Sequence, residues 1–125
     1  MKVWKIFKVG SNILAYVNVN EKDPRDTNYY ALQLARQYFN DYSISGTQLV
    51  AENENKQTDI PILELYYPER FTLNGIDYIL ESLNCALWTN EAHGFCRRSD
   101  GSEGLYTVTF NNKQELLPIS VELPL

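Results

Sequence analysis

Histidine and cysteine are scarce in this chain of 125 residues, which contains one histidine and two cysteines. A single imidazole excludes metal centres that are built from several histidines. The two thiols, Cys85 and Cys96, are too few for the disulfide framework of a small secreted domain. One disulfide could join them, but we expect both thiols to stay reduced inside a cell.

Long hydrophobic runs and catalytic signature motifs are missing as well. No apolar run approaches the roughly 20 residues that a membrane-spanning helix needs. The first eight residues, MKVWKIFK, mix lysine with apolar residues and lack the apolar core of a signal peptide. The phosphate-loop, dinucleotide-binding, zinc-protease and nucleophile-elbow patterns do not occur. We therefore expect a cytoplasmic protein without a membrane segment, metal or cofactor, and we lean towards a function other than catalysis.

Basic residues are also fewer than acidic residues. The chain has 16 acidic and 11 basic residues, which gives a formal net charge of −5. Residues 1–22 hold four lysines and one glutamate, whereas residues 23–70 hold eight acidic and four basic residues and residues 71–125 hold seven and three. An acidic surface repels nucleic acid and attracts basic surfaces, so we expect a protein partner with a basic surface rather than DNA or RNA. The simpler interpretation is that the charge keeps a small protein in solution.

The chain otherwise has the composition of an ordinary globular domain. Hydrophobic residues make up 44% and charged residues 22%. A chain of this length buries about two-thirds of its surface on folding, which is enough for one core. We predict a single α+β domain over residues 1–125, with an N-terminal β-hairpin, one or two helices, and a C-terminal antiparallel β-meander packed as one sheet layer against the helices.

The N-terminus is typical of a β-hairpin with strands over 2–9 and 12–19. A two-residue turn at positions 10–11 would place Ile6 opposite Ala15, and a three-residue loop would shift this register. Both faces of the predicted hairpin are largely apolar. Such a hairpin must be covered twice, by another layer or by another chain, so we predict a homodimer through this hairpin.

Residues 27–41 carry the pattern of an amphipathic helix. Asp26 or Thr27 can cap its N-terminus. Apolar side chains recur at positions i, i+3, i+4, i+7 and i+8, and they are Ala31, Leu34, Ala35, Tyr38 and Phe39. A strand, an exposed polar loop and a second strand are predicted to follow over 47–52, 53–59 and 60–67.

Residues 71–84 support two interpretations. Asn74-Gly75 between apolar residues is a strong hairpin signal. Helical spacing nevertheless connects the apolar residues Ile76, Ile79, Leu80, Leu83 and Leu87. We favour a second short helix over about 75–84.

The last forty residues predict an antiparallel meander. Its strands are expected over 86–89, 94–98, 105–110 and 119–123. Pro118 and Pro124 bracket the last strand and predict that it lies at a sheet edge, because proline cannot donate to the hydrogen-bond ladder.

Cys85, His93 and Cys96 form the one cluster of reactive residue types. They supply three of the four ligands that zinc needs, at a spacing that matches none of the common zinc sites. A thiol nucleophile at Cys96 would need a base, but His93 is three residues away and faces the opposite side of a strand. We favour a buried thiol beside a loop histidine.

Arg97 and Arg98 are the one adjacent basic pair. On a strand they would face opposite sides, so one guanidinium could hold a phosphate or carboxylate. The lysines at positions 2, 5 and 8 could complete this anion site, and Trp88 and Tyr106 are the aromatic candidates beside it. Ordinary surface pairing with Asp100 or Glu103 is the simpler interpretation, and we favour it.

Two pairs of carboxylates are candidates for acid–base chemistry. Glu52 and Glu54 lie in or beside the polar loop, and Asp77 and Glu81 would share one face of the possible second helix. No pattern places either pair in a cleft, as a glycosidase would require. We interpret both pairs as solvated.

Nine tyrosines are present, and tyrosine is a common anchor of protein interfaces. We predict a non-catalytic binding protein that occupies a basic surface of a partner, with the size and charge of bacterial immunity proteins and phage antagonists of host defence. The predicted contact residues are Glu52, Glu54, Asp59, Glu64, Tyr29, Tyr30, Tyr66 and Tyr67. The alternatives are a module that binds a nucleotide-like anion through Arg97, Arg98, Trp88 and Tyr106, and an enzyme with a thiol nucleophile.

Overall fold

A computed structural model describes residues 1–86, 88–102 and 104–123 of the chain. These residues form one α-helix and nine β-strands in two sheets, which confirms the α+β class. The chain divides into two compact units, Met1–Tyr66 and Tyr67–Leu125, and the expectation of one domain stays a prediction. No helix in the described part of the chain is long and apolar enough to cross a membrane.

Unit 1 combines the helix with a four-stranded sheet. Its elements are β1 (Lys2–Phe7), β2 (Ile13–Val19), α1 (Thr27–Phe39), β3 (Gly46–Leu49) and β4 (Ile62–Leu65). The sheet order is β3-β1-β2-β4, and β4 runs parallel to β2 while the other neighbours are antiparallel. The helix packs on one face of this sheet. The buried apolar side chains between them are Ile6, Ala15, Val17, Val19, Ala31, Ala35, Ile44 and Leu65.

The N-terminal hairpin is confirmed, including the pairing of Ile6 with Ala15. The turn lies one residue earlier than predicted, because the Ser11 amide donates to the Lys8 carbonyl and Gly10 takes the positive φ of 81°. A register shift after Ile6, which pairs Phe7 with Ile13, compensates for this change.

The helix begins and ends at capped residues. The Asp26 side chain accepts from the Tyr29 amide at the N-terminus, and Asn40 adopts the left-handed conformation at the C-terminus. The helix therefore ends two residues before the predicted boundary. Ala31 and Ala35 are buried as predicted, but Tyr38 is 59% exposed and contributes little to the apolar stripe.

The second apolar face of the hairpin is covered by this chain itself. The Lys5 ammonium lies 2.8 Å from the Glu54 carboxylate, and the Gln57 amide donates to the Tyr16 hydroxyl at 2.9 Å. The polar loop that contains Glu54 and Gln57 thus lies over this face, and Tyr16 is 1% exposed. At Tyr16 the hairpin therefore needs no second chain to cover it. The homodimer stays a prediction.

Unit 2 is a five-stranded antiparallel sheet. Its strands are β5 (Arg70–Leu73), β6 (Ile76–Asn84), β7 (Ala92–Arg98), β8 (Tyr106–Phe110) and β9 (Pro118–Glu122), in the order β5-β6-β7-β8-β9. Strands β5 and β9 also contact each other, so the sheet curls around its own core. The buried side chains inside are Phe71, Tyr78, Leu83, Ala92, Cys96, Val108, Phe110 and Leu116.

The predicted second helix over 75–84 is wrong. Asn74 and Gly75 both have positive φ, 53° and 78°, and form the turn of a β5–β6 hairpin. The helical spacing of the apolar residues has a different origin. The register of β6 shifts between Leu80 and Ser82, so inward side chains change there from even to odd positions and Leu83 points inward. An alternating strand with one bulge thus imitates a helical period.

The C-terminal meander is confirmed for its last three strands, and β9 lies at a sheet edge as predicted. The strand predicted over 86–89 is wrong at its described positions, since Ala86, Trp88 and Thr89 lie outside the strands. Leu87, which belonged to that strand and to the predicted helical pattern, lies outside the described residues, as do Glu103 and Pro124.

Candidate functional site

Strand β4 lies at one edge of the unit 1 sheet and exposes an unusual set of side chains. Its inward residues, Leu63 and Leu65, pack on the core. The alternate positions point away from the core, where Ile62 is 53% exposed, Glu64 is exposed and Tyr66, directly after the strand, is 49% exposed. A strand edge that presents an aliphatic, an acidic and an aromatic side chain in sequence has the chemistry of a binding surface.

Asn18 on β2 completes this arrangement, which we call the β4 surface: Asn18, Ile62, Glu64 and Tyr66. Asn18 is the register partner of Glu64, and its Nδ2 donates to the Glu64 carboxylate at 2.8 Å. The other amide atom, Oδ1, is buried and has no hydrogen-bond partner among the described residues. The Glu64 carboxylate is exposed, so it can still accept from a positively charged donor outside the chain.

The backbone of β4 also has an unpaired side. In the sheet order β3-β1-β2-β4, β4 bonds to β2 on one side, and no described strand bonds to the other. Edge strands can accept another strand through their free amide and carbonyl groups. The β4 surface therefore offers both side-chain and backbone contacts.

A buried ion pair supports the end of β4. The Arg25 Nη2 lies 2.6 Å from Asp23 Oδ2, and both side chains are fully buried. The same Nη2 donates to the Tyr66 carbonyl at 2.6 Å, and the guanidinium lies over the Tyr30 ring at 5.2 Å from its centroid. The pair therefore ties the loop before the helix to the residue that ends the β4 surface.

The other predicted contact residues of unit 1 are dispersed. Glu52 and Asp59 are exposed and lie outside strand β4. Glu54 is held by Lys5, whose hydrogen bond lowers the pKa of that carboxyl. Tyr29 is exposed on the helix.

Two predicted tyrosines pack inside their own units. Tyr30 lies beneath the Arg25 guanidinium, and Tyr67 packs against the core of unit 2. The structure therefore brings together Glu64 and Tyr66 of the predicted set, and adds Asn18 and Ile62.

The arginine pair separates across β7. Arg97 is exposed, with its Nε 3.4 Å from Glu81 Oε1. Arg98 is half-buried, and its Nε has no hydrogen-bond partner in the described part of the chain. Arg98 also lowers the pKa of Asp100, although the hydrogen bonds from Ser102 have the larger effect.

The aromatic members of the predicted anion site differ in their relation to the arginines, since Tyr106 lies opposite Cys96 and next to Tyr78, the register partner of Arg98, whereas Trp88 lies outside β7. Trp88 is 90% exposed and precedes β7. Arg97 and Arg98 lie at the other end of that strand, about 20 Å from its first residue. Tyr106 packs edge-to-face on Tyr78.

The predicted lysines belong to unit 1. Lys5 is paired with Glu54, and Lys8 lies 2.7 Å from Asp41. Two of the three thus already have carboxylate partners.

The thiol and the imidazole face opposite sides of β7, as the strand spacing predicts. Cys96 is 0% exposed in the core, and burial raises the pKa of its thiol to about 11. A neutral buried thiol is a poor nucleophile. His93 is exposed on the other face, where its Nδ1 lies 3.3 Å from the Thr109 hydroxyl. Cys85 packs against the core, and no group of three metal-ligating side chains occurs among residues 1–86, 88–102 and 104–123.

The carboxylates of β6 are engaged with neighbours on strands rather than on a helix. The Thr72 hydroxyl donates to Asp77, and Glu81 pairs with Arg97. Asp77 and Glu81 do not face each other across a cleft.

The outer face of the unit 2 sheet carries a cavity that the sequence patterns did not indicate. The cavity measures about 490 Å³, and its solvent-facing side chains are Ser82, Asn84, His93, Phe95, Thr107 and Thr109. We call this set the outer-face site. The alternation of residues in 105–110 predicted that Thr107 and Thr109 share a face. The bulge that turns Ser82 outward was not predicted, because no sequence pattern indicates it.

Comparison of the chain with models of protein families, with curated proteins and with solved structures found no match.

Proposed function

We propose that this protein is a non-catalytic binding protein whose β4 surface attaches to a basic segment of a partner protein. One observation carries the proposal: the Glu64 carboxylate is exposed on an edge strand, between the exposed side chains of Ile62 and Tyr66. The prediction of a small cytoplasmic inhibitor or antagonist, which rests on size and charge alone, belongs to this proposal.

The chemistry of the surface favours an arginine on the partner. A guanidinium carries several N–H donors in one plane and can donate to both oxygens of the exposed Glu64 carboxylate. The partner would thus gain specificity as well as charge attraction.

Ile62 and Tyr66 supply the apolar part of the contact. They flank Glu64 on the same side of β4, and their exposed area would shield the ion pair from water. Aromatic side chains at the border of a charged contact are common sites of strong binding. An extended partner segment with an arginine between apolar residues would fit this order and could also pair with the β4 backbone.

The test compares variants in affinity capture from cell lysate across a salt titration. Glu64→Gln combined with Tyr66→Ala removes the charge and the ring, whereas Glu122→Gln removes an exposed charge from unit 2. We expect a protein that binds wild type and Glu122→Gln, weakens as salt rises, and is lost with the double variant. Capture of no protein, equal capture by all three, or capture that ignores salt would contradict the proposal.

One observation favours the alternative of a nucleotide-like anion ligand. Arg98 is the register partner of Tyr78, on whose ring Tyr106 packs, and an anion could accept from the half-buried guanidinium. A thermal-shift screen with nucleotides tests this, because a ligand at 100 times its Kd stabilises a protein by about 2.7 kcal/mol. A shift that persists in Arg98→Gln would remove Arg98 from the explanation, and the absence of any shift would remove the alternative.

A further inference from the structure

We infer that the outer-face site of unit 2 binds a neutral, hydroxyl-rich ligand, a saccharide, on the ring of Phe95. The inference is independent of the β4 surface, which belongs to the other unit. It depends on the shape of the sheet, on the side chains that line the cavity and on the absence of charge among them.

The strand register arranges the site in two rows. Ser82, Phe95 and Thr107 are paired across β6, β7 and β8, and they form the first row. Asn84, His93 and Thr109 are paired in the same way and form the second. The rows lie about 7 Å apart along the strands, because each strand rises about 3.3 Å per residue. An aromatic ring thus lies between two hydroxyls, with an amide, an imidazole and a third hydroxyl beside it.

A structural feature of β6 creates this arrangement. The bulge between Leu80 and Ser82 turns Ser82 and Asn84 outward. It also brings the β6 backbone very close to β7, since a Cβ placed on Gly94 would lie 2.2 Å from the Ser82 carbonyl oxygen. The glycine therefore permits the bulge, and bulges of this kind are common beside binding sites.

The lining selects for a neutral ligand. None of the six side chains that define the site is a carboxylate, an ammonium or a guanidinium. Residues 67–125 contain eight acidic and four basic residues, so their net charge of −4 opposes phosphate and carboxylate ligands. The nearby Arg97 is engaged by Glu81 and does not reverse this balance.

The lining also selects for hydroxyl groups. Serine and threonine hydroxyls, the asparagine amide and the imidazole each donate and accept hydrogen bonds, as sugar hydroxyls do. A wholly apolar ligand would remove water from these groups without offering them hydrogen bonds in exchange. The Phe95 ring is 43% exposed and can hold the C–H face of a sugar ring, which is apolar. The two properties together distinguish a saccharide from a lipid or an anion.

The test uses the full chain and a panel of neutral monosaccharides and disaccharides at tens of millimolar. We expect at least one sugar to shift the amide resonances of the outer-face site in a ¹⁵N correlation spectrum. Phe95→Ala should weaken that binding at least about tenfold, which corresponds to about 1.4 kcal/mol. Phe95→Tyr should retain it, because the ring is kept. Leu49→Ala is the matched control, since it removes a similarly exposed apolar side chain from unit 1.

Three results would overturn the inference. The first is that no sugar in the panel moves the resonances of the outer-face site. The second is equal binding by Phe95→Ala in a protein whose spectrum shows an intact fold. The third is a larger response to nucleotides or sugar phosphates than to neutral sugars. None of these results bears on the β4 surface, whose proposal has its own test.

Discussion

Removing the Arg25 guanidinium should destabilise unit 1 more than its size suggests. Arg25→Met keeps much of the aliphatic volume but leaves Asp23 as a carboxylate with a fully buried side chain. The Tyr66 carbonyl also loses a donor at 2.6 Å. The variant therefore loses free energy of unfolding for two reasons: a buried charge is left uncompensated and a hydrogen bond is lost.

The expected loss in the free energy of unfolding is about 3–5 kcal/mol, the usual result of breaking a buried ion pair from one side. The two charge-assisted contacts of Nη2 support this figure, since each such bond contributes about 1.5–3 kcal/mol. Total stabilities of small domains are about 5–15 kcal/mol, so a large share of the stability is affected. Asp23→Asn combined with Arg25→Met should lose less than the sum of the single variants, because neither charge remains buried.

Urea unfolding followed by tryptophan fluorescence measures this loss within unit 1. Trp4 lies in unit 1 and donates to the Thr27 hydroxyl at 3.2 Å, whereas Trp88 is 90% exposed in unit 2 and can be replaced by phenylalanine. Lys8→Met is the control, because it breaks a partly exposed ion pair and should cost at most about 1 kcal/mol. A loss below about 1 kcal/mol in Arg25→Met, or strict additivity in the double variant, would refute the reasoning.

Three further predictions concern unit 2. Gly94→Ala should cost about 1–3 kcal/mol in urea unfolding, because the new methyl meets the Ser82 backbone oxygen and not a flexible side chain; unchanged stability would contradict the close approach. In Cys85→Ser, Cys96 should react with a thiol reagent at pH 8 only on unfolding, and rapid labelling of the folded protein would contradict its burial. Stability should fall as the pH rises from about 9 to about 11, because the unfolded thiol ionises before the folded one, whose pKa is about 11.

The local elements could be predicted from the sequence because their causes are local. Alternating apolar residues indicated the N-terminal hairpin and the pairing of Ile6 with Ala15. Helical spacing and the Asp26 cap indicated the helix and its first residue. The failure over 75–84 also has a local cause, since a bulge shifts a two-residue period by one position and then resembles a period of 3.6. The Asn74-Gly75 turn was the better evidence there, because both residues must take positive φ.

The β4 surface could be predicted in part. Glu64 and Tyr66 were selected by residue type, an acid and an aromatic ring next to each other on a predicted strand. Asn18 and Ile62 were missed, because asparagine and isoleucine are ordinary residues of strands and loops. Their importance depends on the parallel pairing of β2 with β4, which joins residues 46 positions apart.

The sequence by itself determined the class of the fold, the acidic charge, the start of the helix and the opposite orientation of Cys96 and His93. These depend on composition or on neighbours within a few residues. Only the tertiary structure decided that the strands divide into two sheets, that the chain's own loop covers Tyr16, and that Asn18 Oδ1 stays unpartnered beside Glu64. The physical reason is that burial and hydrogen-bond satisfaction depend on which distant segments pair, and a local pattern contains no information about that choice.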